Sequence, residues 1–164
     1  MIVTEGMLVK VRFQLDRSEW HGYDTEALWA EPIGTAGEAF VLRNSPCHVR
    51  GVSFLDVVAA AFNATDGVYE FRHVVARGGH STYMVISHLG KAEFDGHWNE
   101  LQAIGCSYES GAFRTQAGPA MLYSIDVPDT TDIHAAYELL EEGERLGLWG
   151  FQEGHCGHDV TRPE

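Results

Sequence analysis

Residues 82–104 read T-Y-M-V-I-S-H-L-G-K-A-E-F-D-G-H-W-N-E-L-Q-A-I, and this stretch decides how the second half of the chain folds. Its first six residues are rich in β-branched and aromatic side chains, which favours a strand. Residues 91–104 then place Phe94, Trp98 and Leu101 at the spacing of one helix face. The stretch therefore predicts a strand followed by a helix whose apolar stripe, Trp98 included, packs against a sheet.

The residues that follow extend this pattern. Residues 106–113 and 121–127 have strand composition and flank Gly118-Pro119, a turn signal. Residues 148–151 are predicted to form the last strand, and Trp149 within them is expected in the core.

A second helix is predicted between these strands. Three consecutive residues supply N-cap oxygens at its start, and four apolar residues form its buried stripe. The cap residues are Asp129, Thr130 and Thr131, and the stripe is Ile133, Ala136, Tyr137 and Leu140. The predicted order is strand, helix, strand, strand, helix, strand, which is a ferredoxin-like βαββαβ arrangement.

The first half is rich in strand signals. Residues 8–15 alternate apolar and polar side chains, and residues 26–33 and 39–43 are joined by a glycine-containing connection suited to a hairpin. Residues 68–75 have strand composition, whereas the alanine-rich stretch before them fits a strand or a short helix. The fold class expected is α+β: a small antiparallel β-barrel-like half over 1–78, followed by the ferredoxin-like half over 79–164, which ends in a short acidic, His-containing tail.

Charge excludes some functions. The chain has 11 Lys and Arg against 24 Asp and Glu, a net charge of −13. Residues 83–164 hold 4 basic and 14 acidic residues, a net of −10. Because phosphate backbones and anionic membranes are bound by Lys and Arg clusters, nucleic-acid and membrane partners are not expected. A basic protein or a small molecule remains compatible, although the charge also serves solubility alone.

The cellular compartment is expected to be the cytoplasm. The first ten residues lack the basic and apolar regions of a secretory signal. The three cysteines are odd in number and far apart, which is not a disulfide framework. Cys47 and Cys106 are expected to be buried and inert.

The segment Arg77-Gly78-Gly79-His80-Ser81-Thr82 is the first candidate site. Two glycines allow close approach of a ligand, and the residues after them add an imidazole and two hydroxyls. The functional interpretation is a binding loop at the seam of the two halves. The candidate ligand-binding residues are Trp29, Asn44, Gly79, His80, Ser81 and Thr82. The structural alternative is a β-bulge whose hydroxyls satisfy backbone groups.

Catalysis would depend on His80 as an acid–base group with Glu31 or Asp56, provided that these side chains converge. Ser81 beside His80 does not make a triad, because neighbours on a strand point to opposite faces. No cofactor is expected, since neither a complete dinucleotide fingerprint nor a Walker pattern occurs.

The tail carries a candidate metal site formed by His155, Cys156 and His158. Imidazole and thiolate are good zinc ligands, but the spacing matches no zinc finger. A structural site would need a further ligand from elsewhere, such as His73, His80, His88 or His97.

An ordered series of motifs resembles the bacterial domain of unknown function 4265 family. The series is E-A-L-W-A-E-P at 26–32, L-R-N-S-P at 42–46, G-V-S at 51–53, D-V-V at 56–58 and G-H-S-T at 79–82. The resemblance covers roughly residues 8–151 and implies a bacterial protein with the family's fold. It implies no activity, so Trp29, Glu31, Asn44, Pro46, Asp56, Gly79, His80 and Ser81 are candidates only for whatever the family shares.

Two functional hypotheses follow. The first is a small acidic binding or regulatory protein, such as an immunity- or antitoxin-like partner of a basic protein. The second is a small tailoring or hydrolytic enzyme that uses His80 in a pocket at the seam. A homodimer formed through the second sheet is a further option by analogy of fold.

Overall fold

The computed structural model describes residues 6–34 and 36–161 of the 164-residue chain. Within them the protein is a mixed α/β structure with two sheets and two helices, and most of its regular structure is strand. The elements are β1 (Val9–Gln14), β2 (Thr25–Ile33), β3 (Ala39–Leu42), β4 (Val57–Asn63), β5 (Val68–Ala76), β6 (Ser81–Ser87), α1 (Lys91–Ala103), β7 (Ser107–Thr115), β8 (Gly118–Val127), α2 (Ile133–Arg145) and β9 (Gly150–His155).

Strands β1 to β5 pair in chain order, and β5 also pairs in parallel with β1 at Val11 and Tyr69, so that the pairing closes on itself. The inward side chains form the first core cluster, in which Phe40 and Leu42 are fully buried. The alanine-rich stretch belongs to strand β4, because its backbone pairs with β3 on one side and β5 on the other.

The second sheet has the order β7-β8-β6-β9, and both helices pack on one of its faces. Side chains alternate along a strand, so Tyr83 and Tyr123 point into the core under the helices. Phe94 of α1 stacks on Tyr123 with ring centroids 3.6 Å apart. The burial predicted for Trp98 and Trp149 is confirmed, since only 5% and 7% of their surfaces are exposed.

Three details of the sequence prediction are wrong. The N-cap of α2 is Asp132, whose Oδ1 accepts from the backbone N–H of His134, while Thr131 donates to Ile104 O instead. Gly118 and Pro119 begin β8 rather than forming the turn, and a proline is tolerated at the start of a strand. Tyr137 is 42% exposed because it lies at the edge of the buried stripe.

The seam between the halves is built by the loop 43–56 between β3 and β4, which lies on the sheet face opposite the helices. Ser45 and Ser124 share a hydrogen bond of 2.7 Å between their hydroxyls, and so do Ser53 and Thr82. The same loop also contacts strand β9, where the Gly51 N–H donates to Gly154 O. No helix within the described ranges has the length and apolar character needed to cross a membrane.

Candidate functional site

His80 and Asp126 form a buried pair on the seam side of the second sheet. His80 precedes β6 and Asp126 lies near the end of β8, next to β6 in the sheet. The His80 Nδ1 is 2.9 Å and 3.0 Å from the two carboxylate oxygens of Asp126. Only 8% of His80 and 7% of Asp126 are exposed. An ionised Asp126 requires a proton on Nδ1, and in the neutral imidazole the lone pair then lies on Nε2.

Burial dominates the electrostatics of this pair. It raises the pKa of Asp126, and the hydrogen bond from His80 opposes that rise without cancelling it. Phe54, from the seam loop, meets the His80 ring edge to face at 5.5 Å. In the described part of the chain, all hydrogen bonds of the His80 ring are made by Nδ1. Nε2 is therefore the ring nitrogen that remains for contact with a ligand.

A pocket of about 200 Å³ adjoins the pair, and we call it the seam pocket. It combines residues of the first half with residues of β7 and β8. Its lining residues are Arg43, Ser45, Phe54, Ser107, Tyr108, Glu109, Ser124 and Asp126.

Two serines in the pocket wall are fixed in position. The Ser124 hydroxyl donates to Pro46 O at 2.6 Å and accepts from Ser45. The pocket wall is therefore preorganised by hydrogen bonds that do not depend on a ligand.

A hydrogen bond between Asn44 and Glu109 supports the wall of the seam pocket. Glu109 accepts from the Asn44 amide at 2.8 Å and from the Ser45 backbone N–H at 2.6 Å. The amide oxygen of Asn44 accepts from the Trp29 backbone N–H at 2.7 Å. Asn44 thus bridges β2 of the first half to β7 of the second. Trp29 is 43% exposed, and the Lys10 ammonium group lies over its ring. Trp29 therefore takes part in this bridge through its backbone and not through its side chain.

Asp56 and Glu31 each pair with a different arginine, and neither is bound to His80. The Asp56 carboxylate is buried, pairs with Arg77 at 2.9 Å and accepts from the backbone N–H groups of Ser53 and Gly78, also at 2.9 Å. Glu31 pairs with Arg43 at 2.7 Å on the rim of the seam pocket. The carboxylate that the structure brings to His80 is Asp126.

The two residues after His80 point to opposite faces of β6, as expected for strand neighbours. Ser81 Oγ lies 2.6 Å from His158 Nδ1 and accepts from the Gly157 N–H, on the side away from Asp126. Thr82 is at the seam with Ser53. Gly79 has φ +86°, and a side chain there would approach Asp129 to 3.1 Å, so glycine is required.

The tail residues are used for packing contacts. Both nitrogens of His158 have partners, since Nε2 is 2.8 Å from Pro128 O. The Cys156 sulfur lies 3.7 Å from Ser81 Oγ, while His155 belongs to β9 opposite Thr82. Among the described residues, no group of three or more His, Cys, Asp or Glu side chains is placed to hold a metal ion.

The cysteines are unpaired in the structure. Cys106 is buried as predicted, whereas Cys47 is half-buried. Burial raises the pKa of both thiols to about 12, which keeps them protonated at neutral pH.

Comparison with known proteins places this architecture in a family. The family model described as Domain of unknown function (DUF4265) matches residues 26–151. The chain belongs to this family. The resemblance read from the sequence motifs is therefore confirmed, and the match to the DUF4265 model contains every residue of the seam pocket.

Structural comparison gives one further likeness, to a hypothetical protein from Neisseria gonorrhoeae. The two chains superpose with a TM-score of 0.67 and are 14% identical, over 95% of this chain and 100% of the other. At that identity the likeness shows a shared fold alone. Among curated proteins none matches the chain.

Sequence reasoning missed Asp126 and Glu109 as site residues. A signal for Asp126 was present, because Ser124 and Asp126 are the polar residues of an otherwise apolar strand and stand two positions apart. That period places both on one face, opposite the core residues Tyr123 and Ile125. Glu109 had no comparable signal, since it lies on an exposed edge strand whose polar residues are ordinary.

Proposed function

We propose that this protein is a binding protein whose ligand site is the seam pocket, and that it takes a small polar molecule rich in hydrogen-bond donors. The observation that carries the proposal is the His80–Asp126 pair beside a pocket that both halves build. Perturbed titratable groups next to a pocket are typical of functional sites.

The charge of the pocket supports a donor-rich ligand. Glu109 and Asp126 contribute carboxylates, and the Arg43 guanidinium on the rim is already held by Glu31. A neutral or cationic molecule therefore gains hydrogen bonds there, whereas an anion meets two like charges. The volume of about 200 Å³ limits the ligand to a small metabolite.

The test is a nuclear magnetic resonance titration with ethanolamine, compared with glycolate as an anion of similar size. Ethanolamine should shift the His80 ring signals and the Ser124 amide with a dissociation constant on the order of 1 mM, as for a fragment-sized ligand. Ser107→Leu should fill the pocket and weaken binding about tenfold or more. Ser110→Leu, on the same strand but on its other face, is the matched control. Equal binding of glycolate, or unchanged binding by Ser107→Leu, would contradict the proposal.

We also propose a basic protein as a partner. Helices α1 and α2, which cover the face of the second sheet opposite the seam, are acidic and support this proposal. The exposed carboxylates of the two helices outnumber their Lys and Arg side chains. Lys91 is already paired with Asp95, and Arg145 with Glu142. Opposite charge would speed capture, as for an immunity- or antitoxin-like protein in the cytoplasm. We expect the basic probe hen lysozyme to bind more weakly as salt rises, and more weakly still to Glu93→Lys. Binding that is insensitive to salt would argue against this partner.

An enzyme is the second candidate function, and the orientation of the imidazole favours it. Asp126 holds Nδ1, so Nε2 is the ring nitrogen left to act as a general base toward a ligand or a water molecule beside the pair. General acid–base catalysis is typically worth a factor of roughly 10² to 10⁴.

We expect p-nitrophenyl acetate hydrolysis to fall at least tenfold in His80→Gln, with a shifted pH–rate profile in Asp126→Asn. His97→Gln, at an exposed position of α1, is the control for adventitious imidazole catalysis. Equal rates for His80→Gln and His97→Gln would leave binding as the function of the site.

The finer architecture belongs to the same proposal. We infer that the first half is a small barrel-like unit and the second a ferredoxin-like unit. The closed pairing of β1 to β5 supports the first, and the order β7-β8-β6-β9 with both helices on one face supports the second. The seam pocket would then lie between two units that share one loop interface.

A further inference from the structure

A groove separate from the seam pocket lies over the other end of the second sheet. It has a volume of about 430 Å³ and runs between the loop after β1 and strands β6 and β9. Its lining residues are Trp20, Met84, Ile86, His88, Gly150, Phe151 and Gln152. Of the β6 side chains on this face, Ile86 is partly exposed, whereas Met84 is only 2% exposed and lies beneath the groove. We call this feature the Trp20 groove.

The walls of the Trp20 groove are suited to a flat apolar group. The Trp20 indole forms one wall, and the Met84 thioether and Ile86 side chain of β6 form the floor. Indole and thioether groups both make favourable contacts with aromatic rings. Gly150 lies opposite Ile86 in the β6–β9 pairing, and a Cβ built at Gly150 meets nothing within 4 Å. The missing side chain at Gly150 therefore keeps the groove open.

The Trp20 ring is held by other rings and not by a hydrogen bond. It contacts His21, His48 and Phe113 at centroid distances of 5.4 to 5.6 Å. Its Nε1 is buried and has no hydrogen-bond partner among the described residues. The groove therefore has one wall made by an indole packed among other rings and a floor supplied by the sheet.

The lining of the Trp20 groove favours an uncharged ligand. Among the described lining residues there is no Lys, Arg, Asp or Glu, and the polar ones are Gln152 and His88. The Gln152 Oε1 is taken by Arg50 at 2.7 Å, and the His88 Nδ1 lies 3.0 Å from Pro119 O. A charged ligand would gain no counter-ion from the lining, whereas a neutral ring with one polar edge can reach the His88 end.

We propose that the Trp20 groove is a second ligand site, for a neutral planar aromatic molecule that stacks on Trp20 over Met84 and Ile86. The volume of about 430 Å³ falls within the range of roughly 300–1,000 Å³ usual for ligand pockets. This site shares no lining residue with the seam pocket, so either can be occupied or removed without the other.

The experiment is a titration of the folded full-length protein with indole, followed by amide and methyl shifts, with cyclohexanol as the non-planar comparison. Indole should shift the signals of Ile86 and Gly150 with a dissociation constant on the order of 1 mM, and cyclohexanol should bind at least about tenfold more weakly. Gly150→Leu should weaken indole binding about tenfold or more. The matched control is Gly96→Leu, because Gly96 of α1 also has open space at its Cβ and an ordinary φ.

Three results would overturn the proposal. They are the absence of indole-induced shifts in the groove of the wild-type protein, indole affinity unchanged in Gly150→Leu, and cyclohexanol binding as tight as that of indole. The wild-type shift map stands even if Gly150→Leu fails to fold. In that case Ile86→Ala, which removes part of the floor, supplies the second comparison and should also weaken indole binding.

Discussion

Replacing Asp56 with alanine should destabilise the protein more than any substitution of an exposed carboxylate. The Asp56 side chain is 1% exposed and accepts from the backbone N–H groups of Ser53 and Gly78. Without it two N–H donors lose their partners, at about 1–3 kcal/mol each. The ion pair with Arg77 adds little, because the arginine side chain is 46% exposed and screened by solvent. We therefore expect a loss of about 4 kcal/mol in the free energy of unfolding.

The assay is urea unfolding followed by circular dichroism, with the midpoint and the m-value fitted separately. A loss of about 4 kcal/mol is a large share of the roughly 5–15 kcal/mol that stabilises a typical domain. Glu31→Ala is the control, since its pair with Arg43 is partly exposed and should be worth about 1 kcal/mol or less. A loss below about 1 kcal/mol for Asp56→Ala at unchanged m-value would refute the assignment of this carboxylate to the backbone of the seam.

Three further results are expected. Gly143→Ala should lower the melting temperature, because a Cβ there would lie 2.0 Å from a buried tryptophan ring, whereas Gly96→Ala should raise it through the better helix propensity of alanine. Burial lowers the pKa of His48 below its ordinary 6.5, so the His48-linked part of the free energy of unfolding is present above pH 6.5 and is lost as the pH falls. The melting temperature should therefore drop from pH 8 to pH 5, and it should drop less in His48→Gln. The double variant His80→Phe with Asp126→Leu should unfold at the same or a higher urea concentration than the wild type, since an apolar replacement removes the desolvation cost of the pair.

The sequence allowed the elements of the second half to be predicted because their periodicity is local. The α1 stripe of Phe94, Trp98 and Leu101 and the strand composition of residues 82–87 depend only on neighbours along the chain. The α2 cap was misassigned because Asp129, Thr130, Thr131 and Asp132 all carry suitable oxygens. Backbone geometry decides among them, and a run of cap-forming residues does not reveal it.

The site was predicted only in part because its contacts join residues far apart in sequence. His80 was a candidate from its glycine-rich context, but its partner is 46 positions away and is set by the β6–β8 register, which pairs Thr82 with Asp126. The link between Asn44 and Glu109 spans 65 positions and depends on how the seam loop lies on β7. Neither the register of a non-adjacent strand pair nor the path of a long loop follows from local composition.

The His80–Asp126 pair stands apart from the other polar contacts of the seam, and this difference is the strongest argument for a role beyond folding. The Ser45–Ser124 and Ser53–Thr82 bonds each join one half to the other. His80 and Asp126 both belong to the second half, so their hydrogen bond does not itself join the halves; the His80 ring meets the first half through its contact with Phe54. Burial raises the pKa of Asp126, which means that its ionised form costs free energy in the folded state. A pair that is costly to bury, that does not itself join the halves and whose carboxylate lines the seam pocket is what the proposed ligand site would explain.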